Sequence, residues 1–565
     1  MPLRLYHDVQ DFVGALAASS GCTYAICNRD QLAPTEALRL ERAAVERGHG
    51  ELGASERIQA QALSAIHDFF REAARLDPDW RFAYSSKVVL SIPGYQDLQN
   101  AFLVNALSAA NPTADILVLA PDRRLRALLA ELFCGARATR ASARPSLRAW
   151  ARFVRTFLRA VLNRAGGFSA RVLLFTVSSG APRQAADAYF GNLAQTLGET
   201  TTTRTVYLAS GSALRLPRDA TRAPFEAFLS PLLVVSTWVC ALFSASRHTR
   251  MRDGTTKPSA FAALHRYLRA AEIRSGEYFM QRLYERGFAS MLSHVAPDVL
   301  VYPFENRSWE KHLLAQAQHN GVGRRVAYQH SSITPRHLAF RIEEGEVASQ
   351  YLPDRLITIG GHTERLLKAW APALAGRIVV GASLRTVRQQ ILPPTSTAVL
   401  IAISSSRNEA LGLLKATHEA AALTNVPFIV RTHPTIPVDD LFALFAWTPN
   451  VELSSGRTLA DDLSRVSAVA YSSSTVALEG MLYGRLPIYV EIGDLPSGDP
   501  IIGDYGFKFG VSGGKALAES VERMHRLDAG ALTALRDDAR HHSETYLRPP
   551  APEAVRQMTQ AVLGP

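Results

Sequence analysis

Short apolar runs alternate with longer helical patterns along most of the chain, and this alternation predicts where strands and helices lie. Strands that alternate with helices pair in parallel, so the chain is expected to belong to the α/β class. In the N-terminal part, strands are predicted at residues 23–27, 87–92 and 115–120, and helices at residues 33–47, 55–76 and 122–134. Further strands are predicted at residues 171–177, 204–209, 298–302, 325–329, 355–359, 398–403, 426–430 and 468–471.

The length of the chain, 565 residues with 47% hydrophobic residues, allows two or three domains of ~150–250 residues each. The pattern predicts a possible appendage at residues 1–80, a Rossmann-like domain at 81–350, a second at 351–548 and a last helix at 549–565. The four cysteines show neither CxxC nor metal-ligand spacing, which favours a reducing compartment. The N-terminus lacks the apolar core of a signal peptide, so a cytoplasmic location is expected.

A turn of hydroxyl residues is the strongest candidate site. An apolar run ends in Ser472, Ser473, Ser474 and Thr475, which open onto a helical pattern. The first N–H groups of a helix have no partner within it and carry the positive end of its dipole, so such a turn suits a phosphate. Glu479, one helical turn later, is placed to accept hydrogen bonds from ribose hydroxyls. The alternative is an ordinary hydroxyl cap on one βα unit.

Two more polar turns follow predicted strands. One contains Arg431, His433 and Pro434, and the other contains Ser405 and Arg407. Ligands of open α/β sheets collect at the carboxyl ends of the strands, so these turns and the serine turn are expected to share one crevice. Arginine and histidine can both bind phosphate oxygens. The alternatives are a loop histidine that binds a backbone carbonyl and an ordinary capped turn.

Candidate groups for proton transfer lie upstream. Glu305 follows a predicted strand, and His330 follows the next one. A carboxylate in this position can take a proton from an attacking hydroxyl, and the histidine can orient that hydroxyl or bind phosphate. Glu344 is a second candidate base, because its neighbour Glu343 can raise its pKa. The alternatives are a carboxylate that stabilises a helix dipole, a structural histidine and an acidic surface loop; Glu305 is preferred over Glu344.

Two segments resemble a known group of enzymes. RTHPT at residues 431–435 and YSSSTVALEG at residues 471–480 resemble the His-Pro and Ser-Ser motifs of bacterial sialyltransferases and of related capsule and lipopolysaccharide glycosyltransferases with the GT-B fold. Residues 343–345, Glu-Glu-Gly, stand in the order of the acidic motif of those families. Residues 301–311 and 326–332 resemble bacterial surface-carbohydrate biosynthesis proteins. The resemblance covers about residues 290–500.

The resemblance implies a GT-B-like fold, with two Rossmann-like domains that face a central cleft. Residues 81–350 would bind the acceptor and 351–548 the nucleotide-sugar donor, while the helix at 549–565 would return to the first domain. The implied activity is metal-independent transfer of a CMP-activated nonulosonic acid or Kdo onto a lipid-linked or growing polysaccharide, without a cofactor. The alternatives are a CDP-polyol phosphotransferase of the teichoic-acid type, a nucleotide-sugar epimerase and a non-catalytic membrane-associated assembly factor. Inverting and retaining transfer both remain open.

A basic amphipathic helix is predicted at residues 144–164. Its arginines include Arg148, Arg152, Arg155 and Arg159, which recur at helical spacing among aromatic and aliphatic residues. Such a helix suits the headgroups of an anionic membrane, and the alternative is a solvated face of a core helix. The apolar segment at 229–245 is expected to be buried or interfacial. The net charge of +11 is scattered, so we expect anionic donors and the inner face of the cytoplasmic membrane as partners, and no nucleic acid.

Overall fold

The protein folds into three parallel sheets that follow one another along the chain. In each sheet the strands alternate with helices, as the pattern of apolar runs predicts. The computed structural model describes residues 3–18, 23–27, 32–46, 56–76, 87, 95–112, 115–134, 136, 144–164, 166–178, 187–248, 260–347, 351–384, 395–404, 406–433, 437–492 and 497–564.

The first sheet forms an N-terminal unit that is larger than predicted. Its strands are β1 (Leu3–Tyr6), β2 (Thr23–Ile26) and β3 (Ile116–Leu119). Its helices are α1 (Val9–Ala18), α2 (Pro34–Glu46), α3 (Glu56–Leu76), α4 (Tyr95–Ala110) and α5 (Arg123–Phe133). The strand β3 pairs with both β1 and β2, so this unit does not end at residue 80. The strand predicted at 87–92 lies outside the described residues except for Lys87.

The second sheet has seven strands in the order β10-β9-β8-β7-β4-β5-β6. They are β4 (Val172–Ser178), β5 (Thr203–Ala209), β6 (Arg222–Pro224), β7 (Val299–Pro303), β8 (Arg324–Tyr328), β9 (Arg355–Thr358) and β10 (Ile378–Val380). Its helices are α6 (Leu147–Leu162), α7 (Leu193–Gly198), α8 (Pro231–His248), α9 (Ala260–Ser275), α10 (Glu277–Val295), α11 (Ser308–His319), α12 (Glu344–Val347) and α13 (Gly361–Trp370). We call this part the acceptor lobe, after the role that the sequence resemblance implies for it. Its strand order reverses between β4 and β7.

The third sheet has six strands in the order β13-β12-β11-β14-β15-β16, the strand order of a Rossmann fold. They are β11 (Ala398–Ala402), β12 (Phe428–Arg431), β13 (Val451–Leu453), β14 (Val466–Tyr471), β15 (Leu486–Glu491) and β16 (Phe509–Ser512). The helices that follow are α14 (Arg407–Ala421), α15 (Asp439–Phe442), α16 (Leu459–Arg465), α17 (Val476–Leu482), α18 (Gly513–His525), α19 (Ala529–Tyr546) and α20 (Pro552–Leu563). We call this part the donor lobe, again after the role that the resemblance implies. The α/β class with two Rossmann-like domains is confirmed.

The boundary between the lobes lies later than the predicted residue 351. The strand β9 pairs in parallel with β8, and β10 pairs with β9, so both belong to the acceptor lobe. Both lobes repeat the same βα pattern, and the sequence therefore shows no change at the true boundary. The donor lobe begins after residue 380.

The C-terminal helices hold the two lobes together. Tyr546, at the end of α19, accepts a hydrogen bond from the backbone N–H of Ile333 in the acceptor lobe at 2.7 Å. A Cβ on Gly360 would lie 2.4 Å from the carbonyl oxygen of Thr545, so the close approach of the lobes requires glycine there. The last helix, α20, packs on β7 and β9.

Candidate active site

The serine turns that follow β11 and β14 meet on one buried carboxylate. The hydroxyl of Ser404 donates a hydrogen bond to Glu409 Oε2 at 2.5 Å, and the hydroxyl of Ser473 donates to the same oxygen. Glu409 is 1% exposed and lies in the first turn of α14. The strand order of the donor lobe reverses between β11 and β14. This cluster therefore lies where open α/β sheets bind their ligands.

A cation from the acceptor lobe completes this cluster. Arg336 lies in the loop after β8, and its guanidinium pairs with Glu409 Oε1. Burial alone would raise the pKa of Glu409, but the charge of Arg336 and the serine hydroxyls lower it, so the carboxylate is ionised. A Cβ on Gly498 would lie 2.6 Å from Ser473 Cβ and 2.9 Å from Arg336 Cζ, so only glycine fits beside the cluster. The carboxyl edges of the two sheets thus face each other.

Glu305 and His330, which follow the neighbouring strands β7 and β8, form a pair on the acceptor-lobe side. His330 Nε2 lies 3.3 Å from Glu305 Oε1, and Arg307 contacts Oε2. Burial alone would raise the pKa of Glu305, but the hydrogen bond from His330 and the charge of Arg307 lower it to about 2. The ring of Tyr189 packs edge-on against His330, with 4.4 Å between ring centres. Among the described residues, none makes a hydrogen bond to His330 Nδ1.

Buried polar groups hold the turn that carries Glu305. Glu310 on α11 accepts hydrogen bonds from the backbone N–H groups of Glu305, at 3.0 Å, and Asn306, at 2.9 Å. Asn306 has a φ of +57°, a left-handed conformation that asparagine tolerates better than most residues. Its side chain donates to the carbonyl oxygen of Ala339 at 2.7 Å and accepts from Lys311 at 2.8 Å. These bonds fix the turn that carries Glu305.

Of the predicted donor-binding residues around β12, one is a half-buried histidine and two are arginines that pair with acids. His433 follows β12, the neighbour of β11, and is half-buried, which lowers its pKa. Arg431 pairs with the fully buried Asp462 at 2.6 Å, and Arg407 pairs with the exposed Asp440. Both arginines thus have acidic partners within the donor lobe that the sequence pattern did not reveal. The structure brings Ser473 to the Glu409 cluster, but it does not bring these two arginines there.

The rest of the serine turn has different roles. Ser472 is buried, and within the described ranges its hydroxyl has no hydrogen-bond partner. The hydroxyl of Ser474 accepts a hydrogen bond from the backbone N–H of Val476 at 3.4 Å. Thr475 is exposed, and Glu479 is half-buried in the first turn of α17. The predicted donor residues that lie outside the described residues are Ser405 and Pro434.

The acidic segment around Glu344 faces the N-terminal unit. Glu344 itself is exposed in the short helix α12. Its neighbour Glu343 pairs with Arg71 at 2.5 Å, and Glu346 pairs with the fully buried Lys87 at 2.8 Å. The described contacts of this segment therefore tie the N-terminal unit to the acceptor lobe, rather than placing the segment beside Glu305.

The arginine side of α6 faces inward, which corrects the predicted membrane role of two arginines. Arg159 is 4% exposed and pairs with the buried Glu226 at 2.9 Å. Arg152 pairs with Glu277 on α10 at 2.6 Å. The sequence could not show these partners, because both acids lie far along the chain. Among the four predicted arginines, the outermost is Arg148, which is exposed, while Arg155 lines an internal cavity.

The outer side of α6 is apolar, and it continues onto α8. Leu147 is 88% exposed and Trp150 is 45% exposed on α6, while Leu232 is 77% and Phe243 is 67% exposed on α8. The two helices pack against each other. Trp238, on the opposite side of α8, is buried and stacks on Phe153. We call this exposed surface the α6–α8 face.

The described residues offer neither a cluster of metal ligands nor a helix that could span a membrane. Within the described ranges, no three His, Cys, Asp or Glu side chains stand close enough together to bind a metal ion. Likewise, none of the helices in the described part of the chain is both long and apolar enough to cross a membrane.

Comparison with protein-family models finds no match, and comparison with curated proteins finds none. Solved structures do match. The calicheamicin glycosyltransferase CalG4 is 14% identical, with a TM-score of 0.41 over 70% of this chain and 99% of that chain. The glycosyltransferase SnogD from Streptomyces nogalater is 14% identical, with a TM-score of 0.38 over 70% and 100%. The UDP-GlcNAc 2-epimerase from Neisseria meningitidis is 10% identical, with a TM-score of 0.38 over 69% and 99%. These weak likenesses concern the fold alone.

Proposed function

We propose that this protein is a glycosyltransferase that moves a CMP-activated sugar, a nonulosonic acid or Kdo, onto a lipid-linked or growing surface polysaccharide. The observation that carries the proposal is the meeting of Ser404, Ser473 and Arg336 on Glu409 between the two lobes. Hydroxyls and a guanidinium are groups that bind phosphate. A guanidinium has five N–H donors, so Arg336 can bind Glu409 and a phosphate together. Glu409 is then a positioning residue.

The leaving phosphate gains negative charge when the sugar is transferred. A fixed cation in a water-poor cleft stabilises that charge without having to reorganise. Arg336 supplies the cation from the acceptor lobe. The Ser473 hydroxyl adds a donor from the donor lobe when its one hydrogen turns from Glu409 to the phosphate. This proposal gives the cleft its function, because neither lobe holds the complete set of groups.

His330 is the group best placed to remove a proton from the acceptor hydroxyl. The low pKa of Glu305 makes that carboxylate a weak base. Glu305 instead contacts Nε2 of the imidazole. The other ring nitrogen, Nδ1, is buried without a hydrogen-bond partner among the described residues, and it accepts the proton from a hydroxyl that packs against it. Both oxygens of Glu305 are engaged, by His330 and Arg307, so the pair suits direct displacement with inversion rather than a covalent intermediate. Glu305 is thus a positioning residue in this mechanism.

The choice of a CMP-linked donor rests on the sequence resemblance at residues 431–435 and 471–480. His433 and Ser473 follow strands β12 and β14, which lie on either side of β11. Strands are ~4.8 Å apart, so these two turns are about 10 Å from each other at one sheet edge. That span matches a nucleoside monophosphate that lies across the end of β11.

We further propose that the α6–α8 face rests on an anionic membrane. Its exposed side chains are apolar, and the exposed arginines Arg144, Arg148 and Arg286 lie on α10 and around the start of α6. Apolar side chains in the acyl boundary with arginines at the phosphates are the arrangement of an interfacial helix. This surface would bring the cleft to a lipid-linked acceptor.

Leu232→Glu is expected to weaken binding to anionic vesicles at least tenfold. Burying a leucine contributes about 1.5–3 kcal/mol, and a carboxylate is repelled by the anionic surface. Leu423→Glu is the matched control, because Leu423 is 58% exposed and lies on the donor lobe. Vesicle flotation measures both variants. Equal binding by the two variants would show that the α6–α8 face does not touch lipid.

A donor panel tests the proposed function. Release of the nucleotide is measured with CMP-sialic acid, CMP-Kdo, CDP-glycerol and a UDP-sugar, with and without bacterial membranes as the acceptor source. We expect release from a CMP-sugar that membranes accelerate. Release from CDP-glycerol alone would identify a polyol phosphotransferase, and conversion of a UDP-sugar without an acceptor would identify an epimerase. No turnover with any donor would favour an assembly factor.

A further inference from the structure

A cavity of about 210 Å³ lies under α6, at the carboxyl ends of β5 and β6. Its charged lining comes from three arginines of α6 and two acids that face them. These five side chains are Arg152, Arg155, Arg159, Glu226 and Glu277. They leave the cavity with one net positive charge, because the arginines outnumber the acids by one.

The excess charge resides on Arg155. Arg152 and Arg159 are each paired with an acid, Glu277 and Glu226 respectively. Arg155 makes neither an ion pair nor a hydrogen bond with any described residue. Burial lowers its pKa, and the nearby charges of Arg159 and Arg152 lower it further, while the charge of Glu226, which is paired with Arg159, raises it in part. A guanidinium held among like charges without its own acid is stabilised by an anion from outside the chain.

The position of the cavity connects it to the proposed reaction. The sheet order β7-β4-β5-β6 places β6 three strands, or about 15 Å, from β7, the strand that Glu305 follows, and all four strands end at the same edge. The outer side of α6 is the exposed apolar face, while its inner side carries the three arginines. The cavity therefore lies between the exposed apolar face and the sheet edge at which Glu305 stands.

We propose that this cavity binds a phosphate group of the acceptor, an inference that rests on the proposed transferase function. Arg155 provides the charge, and a planar guanidinium can give a phosphate two parallel hydrogen bonds. The phosphate belongs either to a lipid carrier or to a soluble phosphorylated glycan. In both cases the anchored phosphate fixes where the acceptor hydroxyl lies relative to His330.

Arg155→Gln tests this proposal, with Arg148→Gln on the same helix as the matched control. Binding is measured to phosphatidylcholine vesicles that contain either phosphatidic acid, which carries a phosphomonoester, or phosphatidylglycerol, which does not. We expect the full-length protein to prefer phosphatidic acid and Arg155→Gln to reduce that preference at least tenfold, since hydrogen bonds to charged groups are worth about 1.5–3 kcal/mol. Arg148→Gln should weaken binding to both vesicles alike. If Arg155→Gln and Arg148→Gln prefer phosphatidic acid over phosphatidylglycerol to the same degree, the proposal is overturned.

Inorganic pyrophosphate separates the two sources of the phosphate. Thermal stabilisation by pyrophosphate that depends on Arg155, without a preference for phosphatidic acid, would point to a soluble phosphorylated acceptor. If neither the binding to phosphatidic acid nor the stabilisation by pyrophosphate depends on Arg155, the cavity is not a phosphate site. Two further variants apply if Arg155→Gln does not fold. Arg155→Lys should keep most of the preference for phosphatidic acid. Ser210→Leu, at an exposed position in the cavity lining, should reduce that preference because the leucine side chain fills part of the cavity. No donor is present, so failure here is distinct from failure in the donor panel.

Discussion

Replacing His330 with alanine is expected to lower kcat for transfer from the CMP-sugar by about 10²–10⁴-fold, with little change in the KM of the donor. A positioned base contributes about that factor, and His330 does not touch the donor cluster around Glu409. The rate of nucleotide release in the presence of acceptor measures the effect, while circular dichroism checks the fold.

The control for this variant is His319→Ala. His319 is an exposed histidine at the end of α11 whose ring contacts the carbonyl oxygen of Ala315 at 2.7 Å. It lies outside the cleft, and its loss should leave kcat within about twofold. A folded His330→Ala protein that works as fast as this control would remove His330 from the mechanism.

Replacing Arg336 with methionine is expected to lower kcat/KM for the donor by about 10²–10³-fold, because the leaving phosphate loses its fixed cation. The same change leaves the buried Glu409 with only serine hydroxyls as partners, and breaking a buried ion pair destabilises a protein by about 3–5 kcal/mol. Denaturant unfolding and donor kinetics measure the two effects separately.

The double variant Arg336→Met with Glu409→Gln distinguishes stability from catalysis. It removes both charges, so much of the lost unfolding free energy should return. Donor turnover should remain low, because the cation is still missing. If turnover recovers together with stability, Arg336 joins the lobes but does not act on the phosphate.

Much of the fold could be predicted from the sequence, because the local pattern of apolar residues indicates where strands and helices lie. The apolar runs at residues 23–27 and 398–403 became β2 and β11, and the serine turn does end a strand. The boundary at residue 351 was wrong because β9 and β10 join the acceptor sheet through pairing with β8, which is a long-range property. Local periodicity does not distinguish two consecutive domains of the same kind.

The site was less predictable because its key contacts connect distant parts of the chain. Glu409 lies close along the chain to Ser405 and Arg407, which the sequence predicted as donor-binding residues. Its own role could not be predicted, because it depends on Ser473 and Arg336, which are 64 and 73 residues away. Arg336 lies in an irregular loop without a periodic signal. Likewise, α6 is amphipathic as predicted, but its arginine side pairs with acids inside the protein, so its apolar side faces outward. The long-range signal available in the sequence was only that several polar turns end neighbouring strands.

Calorimetric titration with CMP tests most directly whether the serine turn and the arginine of the opposite lobe form a nucleotide phosphate site. Ser473→Ala is compared with Ser467→Ala, a buried serine at the opposite end of β14 that donates to the carbonyl oxygens of Thr397 and Ala398. The account predicts that CMP binds the unaltered protein and Ser467→Ala with equal affinity, and binds Ser473→Ala about tenfold more weakly. Equal CMP affinity in both variants, or no CMP binding by the unaltered protein, would contradict it.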